Sequence, residues 1–172
     1  GIGRHSTYLQ KTGFDVVGTD KSKNNIEKAK VSENEKLSFF QMEMIDNTNY
    51  KYDVIFNLFT SFGYVNHDYN LNTIKNIERQ LKDNGVVIID FMNTSFVKKN
   101  LVKEEIKIID NLKFEIKRRY DGNYIIKEIR FCDKNEYFFK EKVMDLSIND
   151  FKKYLKRYKL EIDGLGILRL YI

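Results

Sequence analysis

Gly1-Ile2-Gly3-Arg4-His5-Ser6 and, after a short helix-like stretch stopped at Gly13, Phe14-Asp15-Val16-Val17-Gly18-Thr19-Asp20 decide how this sequence is read. The first segment is a Gly-x-Gly turn, where the missing Cβ lets backbone N–H groups come close to a ligand. The second is a buried-strand pattern ending in an acid. A carboxylate at that point can accept both hydroxyls of a ribose, and Asp20 follows Gly3 by seventeen residues, near the spacing such a pairing needs. Ser6 stands where a dinucleotide fingerprint has its third glycine, which argues against a pyrophosphate ligand.

Outward from that segment the cadence is strand, helix, strand, helix. Ser22 is placed to cap a helix to about Lys30, with Ile26 and Ala29 on its inner face. Leu37–Gln41 is a further strand. Tyr52–Leu58 reads as a strand too continuously apolar to be half-exposed. Leu71, Ile74, Ile77 and Leu81 recur at helical spacing, Lys82-Asp83-Asn84-Gly85 ends that helix, and Val86–Phe91 is a fifth apolar strand. The alternation predicts an α/β fold with a parallel sheet. From about residue 102 the rhythm changes to the alternating runs Ile106–Ile109, Leu112–Arg119, Tyr124–Phe131 and Tyr137–Asp145, with Asp121-Gly122 at one of the breaks; this predicts an antiparallel meander. Ser147-Ile148-Asn149-Asp150 opens a helix with apolar face Ile148, Phe151, Tyr154, Leu155 and Tyr158. Leu160-Glu161-Ile162 and Ile167–Ile172 supply one or two closing strands.

The 172 residues are 42% hydrophobic and 14% aromatic, enough for one domain with a real core and too few for two ordinary ones. The single cysteine, Cys132, excludes a disulfide framework and a cysteine-rich metal site, and no metal is expected. No apolar run has the length of a membrane helix, so a soluble protein of a reducing, cytoplasmic compartment is expected. Charge is uneven: residues 1–97 carry 11 basic and 12 acidic side chains, residues 98–172 carry 19 and 13. A basic half invites an anionic partner; in a chain with 23 Lys and 7 Arg a solvated surface is the plainer reading.

The glycine turn, then Gly18-Thr19-Asp20-Lys21-Ser22 with Ile26 and Ala29, resembles motif I and the following acidic loop of class I S-adenosylmethionine-dependent methyltransferases. Asn57-Leu58-Phe59-Thr60-Ser61-Phe62-Gly63-Tyr64 is similar to the fourth-strand motif of a small-molecule-type bacterial branch of that family. Leu81–Gly85, Asp90-Phe91-Met92-Asn93 and Glu141–Phe151 fall in the family's order after it. The resemblance implies a Rossmann-like sheet with an antiparallel insert after strand 5: a cofactor-binding core over 1–101, a substrate-covering insert over 102–146, and a closing helix and strands over 147–172. It implies S-adenosyl-L-methionine as cofactor. Gly1 and Gly3 would lie under its methionine and ribose, Asp20 would hold the ribose hydroxyls, and Lys21, Glu43 and Met44 would border the adenine. Phe59 would face the methionine end, and Tyr64, His67 and Asn93 would border the acceptor. Plain core packing is an equal reading for Phe59 and Tyr64.

Three departures matter. The family's first strand precedes the glycines and is absent here, so the chain is expected to be a fragment whose second and fourth strands are each unpaired along one edge. Glu43 replaces the more usual Asp, and the loop before the final strand is short. Methyl transfer from a sulfonium is an in-line displacement that proximity alone can drive, so no compact triad need exist and the catalytic residue is unassigned. The strand end lacks the Pro-Pro-aromatic signature of base-amino methyltransferases, and Cys132 is not placed as a cytosine-C5 nucleophile. A small-molecule acceptor is therefore expected. An RNA-directed methyltransferase, a nicotinamide-dependent oxidoreductase fragment and a truncated non-catalytic relic are the competing readings.

Overall fold

A computed structural model describes residues 1–155 and the backbone of 159–162 and 167–171. The chain divides into two compact units, Gly1–Thr48 and Asn49–Ile172, where length and composition predict one core. No strand pairing joins the two among the described residues.

The first unit is built from α1 (Arg4–Lys11), β1 (Val16–Asp20), α2 (Lys23–Lys30) and β2 (Leu37–Gln41). β1 and β2 pair in parallel from Val16 opposite Leu37 to Asp20 opposite Gln41. Ser22 caps α2 as predicted, its hydroxyl accepting from the Asn25 N–H at 3.3 Å. Ile26 and Ala29 then face Leu37 and Phe39 in the core of this unit. The strand predicted from Phe14 begins later. Val16 makes the first ladder bond, to the Lys36 carbonyl, and leaves Phe14 61% exposed.

The second unit holds two sheets. One has the order β3 (Tyr52–Asn57), β4 (Leu81–Asp90), β10 (Ile167–Tyr171), β9 (Lys159–Ile162), with β3 and β4 parallel and the last pairings antiparallel. Both closing strands form; Tyr158 and Ile172 lie outside the described residues. The other sheet is the predicted meander, β5 (Glu104–Ile109), β6 (Leu112–Asp121), β7 (Tyr124–Cys132) and β8 (Glu136–Met144). α3 (His67–Gln80), α4 (Thr94–Lys99) and α5 (Ile148–Tyr154) complete the unit. Its core gathers Phe62, Ile74, Ile89, Phe91, Met144 and Phe151, all under 4% exposed. Phe62, Phe91 and Tyr154 ring Phe151 at centroid distances of 5.2–6.3 Å.

Three expectations are corrected. Helix α3 ends at Gln80, and Leu81 to Gly85 belong to a bulged start of β4, because the register jumps from Tyr52–Leu81 to Val54–Val86. Val54 and Phe56 are 42% and 43% exposed, so β3 is half-exposed despite its apolar run. As expected, β3 pairs with β4 alone and β1 with β2 alone, so each has one edge without a strand among the described residues. Ile148, expected inward, is 49% exposed because it occupies the first turn of α5, just past its cap.

That cap is a full capping box. The Ser147 hydroxyl and N–H both donate to Asp150 Oδ2, at 2.6 and 2.9 Å. These bonds and Lys153 hold the Asp150 carboxyl below its ordinary value. A depressed carboxyl stabilises the fold fully above the ordinary carboxylate range, and that contribution is lost as pH falls through the depressed value. Ser147→Ala is expected to cost about 1 kcal/mol in urea unfolding at neutral pH, with the gap to wild type closing in acid. Phe62→Ala, which removes a fully buried ring from the aromatic cluster, is expected to cost about 3–5 kcal/mol in the same measurement.

Candidate cofactor and acceptor sites

In the first unit the site forms where α1 begins and β1 and β2 end. Gly3 caps α1 with φ +84°, and a Cβ there would lie 2.7 Å from the Phe39 ring and 3.2 Å from Ala29 Cβ. Gly18 is equally tight: a Cβ would meet the Phe39 ring at 2.6 Å and Ser6 Oγ at 2.9 Å. Ser6, in the third-glycine position, therefore sits against Gly18, and the close approach that a third glycine would permit is provided from the strand. No atom stands within 4 Å of the corresponding point at Gly1, so the turn has open space there.

Asp20 ends β1 with its two carboxylate oxygens differently used. Oδ1 accepts from the Ser22 N–H at 2.8 Å and from Asn25 Nδ2 at 3.4 Å, which fixes the turn into α2. Oδ2 accepts from the terminal ammonium of Gly1. Lys21 is exposed, with its carbonyl accepting from Gln41 Nε2 at 3.2 Å. The Asp20 carbonyl accepts from Met42 N–H at 3.1 Å, so the chain leaves β2 beside Asp20 before reaching Glu43 and Met44. Glu43 is exposed, its N–H donating to Asp46 at 2.8 Å, and Met44 is half-buried. All six predicted residues of this unit thus stand at the same ends of its two strands.

In the second unit a loop from Leu58 to Asn66 leaves β3. Phe59 and Thr60 have φ of +56° and +50°, two consecutive non-glycine residues in the left-handed region. Asp90, at the end of the neighbouring strand, holds both: its Oδ2 accepts from the Phe59 N–H and its carbonyl from the Thr60 N–H, each at 3.0 Å. The bend leaves the Phe59 ring 64% exposed. Further along, the Gly63 carbonyl accepts from Met144 N–H at 2.8 Å and the Val65 carbonyl from the Tyr124 hydroxyl at 3.4 Å, which ties the loop to the meander.

Tyr64 lies between those ties, 41% exposed; burial, then the Glu141 charge, pushes its hydroxyl pKa up, so it is a donor at neutral pH. His67 opens α3 with Nδ1 2.5 Å from the Tyr154 oxygen, which also accepts from Asn70 Nδ2 at 3.3 Å. Asn93 caps α4, its Oδ1 accepting from the Phe96 N–H at 3.0 Å, so its side-chain oxygen is committed to the helix. Phe59 and Tyr64 share one loop, and His67 opens the helix that follows it.

Sequence reasoning placed Gly18 and Asp90 in motifs and Tyr154 on a helix face without giving them a site role, and it did not name Asn70. Asp90 was within reach, as the acid ending an apolar strand in the same pattern as Asp20. Among the described residues no cluster of His, Cys, Asp and Glu could hold a metal ion, and no helix is long and apolar enough to cross a membrane. If Asp90 holds the Phe59–Thr60 bend, Asp90→Ala lowers unfolding stability by about 1–3 kcal/mol and Asp90→Asn, which keeps an acceptor, by much less. Thr60→Gly relieves the left-handed strain and raises stability by up to about 1 kcal/mol.

Residues 1–85 match a family model described as a methyltransferase domain. No curated protein matches the chain. An S-adenosylmethionine-dependent methyltransferase from Clostridium acetobutylicum has a similar structure, with a TM-score of 0.83 at 18% identity over 99% of this chain and 79% of that one. The sugar N-methyltransferase KedS8 from Streptoalloteichus gives 0.84 at 14% identity, over 99% and 76%. CalS10, an amino pentose methyltransferase from Micromonospora echinaspora solved with S-adenosylmethionine bound, gives 0.75 at 12% identity, over 99% and 79%. At these identities the likeness is one of fold.

Proposed function

We propose, from the match of residues 1–85 to a methyltransferase-domain model and from the Rossmann-like class I fold, that the chain transfers a methyl group from S-adenosylmethionine to a small-molecule acceptor. One observation carries the reading: a glycine turn with no room for a Cβ at Gly3 and open space at Gly1 stands against a carboxylate at the end of the adjacent strand. That arrangement fits a nucleoside bearing a small chain, with the ribose on Asp20 and the chain over the glycines. When bound, S-adenosylmethionine supplies a sulfonium-activated methyl group for in-line displacement.

The chain's own residues bind, orient and handle protons. Asp20 Oδ2 accepts from ribose hydroxyls while Oδ1 stays on the α2 turn. Lys21, Glu43 and Met44 border the adenine, and Phe59 packs on the methionine end. Tyr64, His67 and Asn93 border the acceptor. Tyr64 donates a hydrogen bond and the Asn93 amide N–H groups orient a polar acceptor, since its oxygen is committed to Phe96. His67 is the group able to take a proton from an acceptor that must lose one. The meander over 102–146 covers the acceptor, and proximity supplies most of the rate. KedS8 and CalS10 act on sugars, and an amino sugar or comparable polar small molecule is the acceptor class proposed here.

Cation pairing weighs against an RNA acceptor. Lys98, Lys107, Lys113, Lys117, Arg118, Arg119 and Lys127 each have a carboxylate within 4 Å, so among the described residues much of the basic charge of this half is already paired. The reading is tested by calorimetric titration with S-adenosylhomocysteine. Asp20→Asn keeps an acceptor for the Ser22 turn and removes the charge, and is expected to weaken binding about tenfold, roughly 1.4 kcal/mol. Equal binding by the variant removes Asp20 from the ribose, and no binding by either protein contradicts the proposal.

A further inference from the structure

Asn70 is fully buried in α3, one turn after His67 and on the same face of the helix. Its amide nitrogen stands 3.3 Å from the Tyr154 oxygen and 3.4 Å from Met144 Sδ, while its amide oxygen is buried without a hydrogen-bond partner. The Tyr154 oxygen lies 2.5 Å from His67 Nδ1. Nε2 of the exposed His67 ring is left open to a ligand. The Tyr154 ring itself is held by Phe62 and Phe151, at centroid distances of 6.0 and 6.3 Å.

These three side chains form a line of hydrogen bonds with a direction. A phenol has one hydrogen to give, and the bond made at one imidazole nitrogen decides which nitrogen carries the neutral ring's hydrogen. Asn70 already gives an N–H to the Tyr154 oxygen. The Tyr154 hydrogen therefore goes to Nδ1. A second donor at Nδ1 would converge on the same oxygen and leave the phenol hydrogen without an acceptor among the described residues. Burial, the largest influence on the Tyr154 hydroxyl, raises its pKa and keeps that hydrogen in place. Resting on the reading that His67 borders the acceptor, we propose that Asn70, through Tyr154, keeps the neutral His67 hydrogen on Nε2. His67 then meets an acceptor as a hydrogen-bond donor, and it takes a proton only after the Asn70 amide turns over.

The turned-over arrangement uses every atom of the line in reverse. The exposed ring loses its Nε2 hydrogen to water and gains one at Nδ1, which donates to the Tyr154 oxygen. The phenol hydrogen swings to Asn70, where Oδ1 accepts it. Nε2 now holds a lone pair, and binding the acceptor's proton there makes the imidazolium with the line behind it already aligned. The amide oxygen without a partner in one arrangement is the one that the other employs. What is given up is a 3.3 Å bond and a contact to sulfur, a weak acceptor. Asn70 and Tyr154 are thus positioning residues that act through His67.

Nitrogen-15 NMR of the full chain reads the tautomer of His67 with neither cofactor nor acceptor present. Its outcome is therefore separate from that of the S-adenosylhomocysteine titration, which decides the methyl-transfer reading. In the neutral ring of the wild type the hydrogen is expected on Nε2, with the Nδ1 resonance displaced by the bond from Tyr154. Tyr154→Phe keeps the ring packing and removes only the hydroxyl, so the Nδ1 resonance should move to that of a nitrogen without a partner. Asn70→Asp, once its carboxyl carbon shift shows it ionised, can accept and cannot donate, and should move the ring hydrogen to Nδ1. Adding Tyr154→Phe to that variant breaks the line and should return the hydrogen to Nε2. The Tyr154→Phe protein tests the same bond without a buried charge, should Asn70→Asp fail to fold. A wild type with its hydrogen on Nδ1, an Nδ1 resonance indifferent to Tyr154→Phe, or an ionised Asn70→Asp protein that keeps the hydrogen on Nε2 would each overturn the proposal.

Discussion

Close packing at the carboxyl ends of parallel strands is the constraint on which both candidate sites depend. In the first unit the Phe39 ring occupies the space that Cβ atoms at Gly3 and Gly18 would need, so the backbone of α1 and the backbone of β1 approach each other across a single side chain. That approach sets Gly1 beside Asp20. In the second unit the same role falls to a hydrogen-bonding group instead of a ring. Asp90 draws the Phe59 and Thr60 N–H groups onto the end of β4 and holds two residues in a left-handed conformation they would otherwise avoid. In both places the strand ends, and not the helices, determine what faces a ligand, as is general for open α/β sheets.

The acceptor side gains rigidity from partners far away in sequence. Tyr154 in α5 meets His67 and Asn70 in α3, and its ring packs on Phe62 and Phe151. The Tyr154 hydroxyl pKa is raised, first by burial, which keeps it a neutral hydrogen-bonding group beside His67. The loop carrying Tyr64 is tied at Gly63 and Val65 to the meander, so the sheet that would cover an acceptor and the loop that would touch it move as one.

Much of this was legible in the residues. Ser22 and Ser147 cap helices where their spacing says they should, and the alternating runs after residue 102 form the meander, because local hydrogen-bonding chemistry and period-two burial need no distant information. The exposure of Val54 and Phe56 was not legible. An apolar run reports strand-forming residues and not whether another layer covers each face of the strand. The start of β4 was read five residues late, because Leu81 fits the helical period as well as it fits the bulged strand that contains it. The bonds from Tyr154 to His67 and Asn70 span 87 and 84 positions, a separation over which no local pattern carries a signal.

The central claim is that the Gly1–Ser6 turn and Asp20 form a nucleoside site. Amide NMR of the full chain titrated with S-adenosylhomocysteine tests it most directly, residue by residue. The account predicts shifts concentrated at Gly3–Thr7, Gly18–Ser22 and Gln41–Met44. Saturable shifts confined to other parts of the chain, or a folded protein whose spectrum does not change, would contradict it.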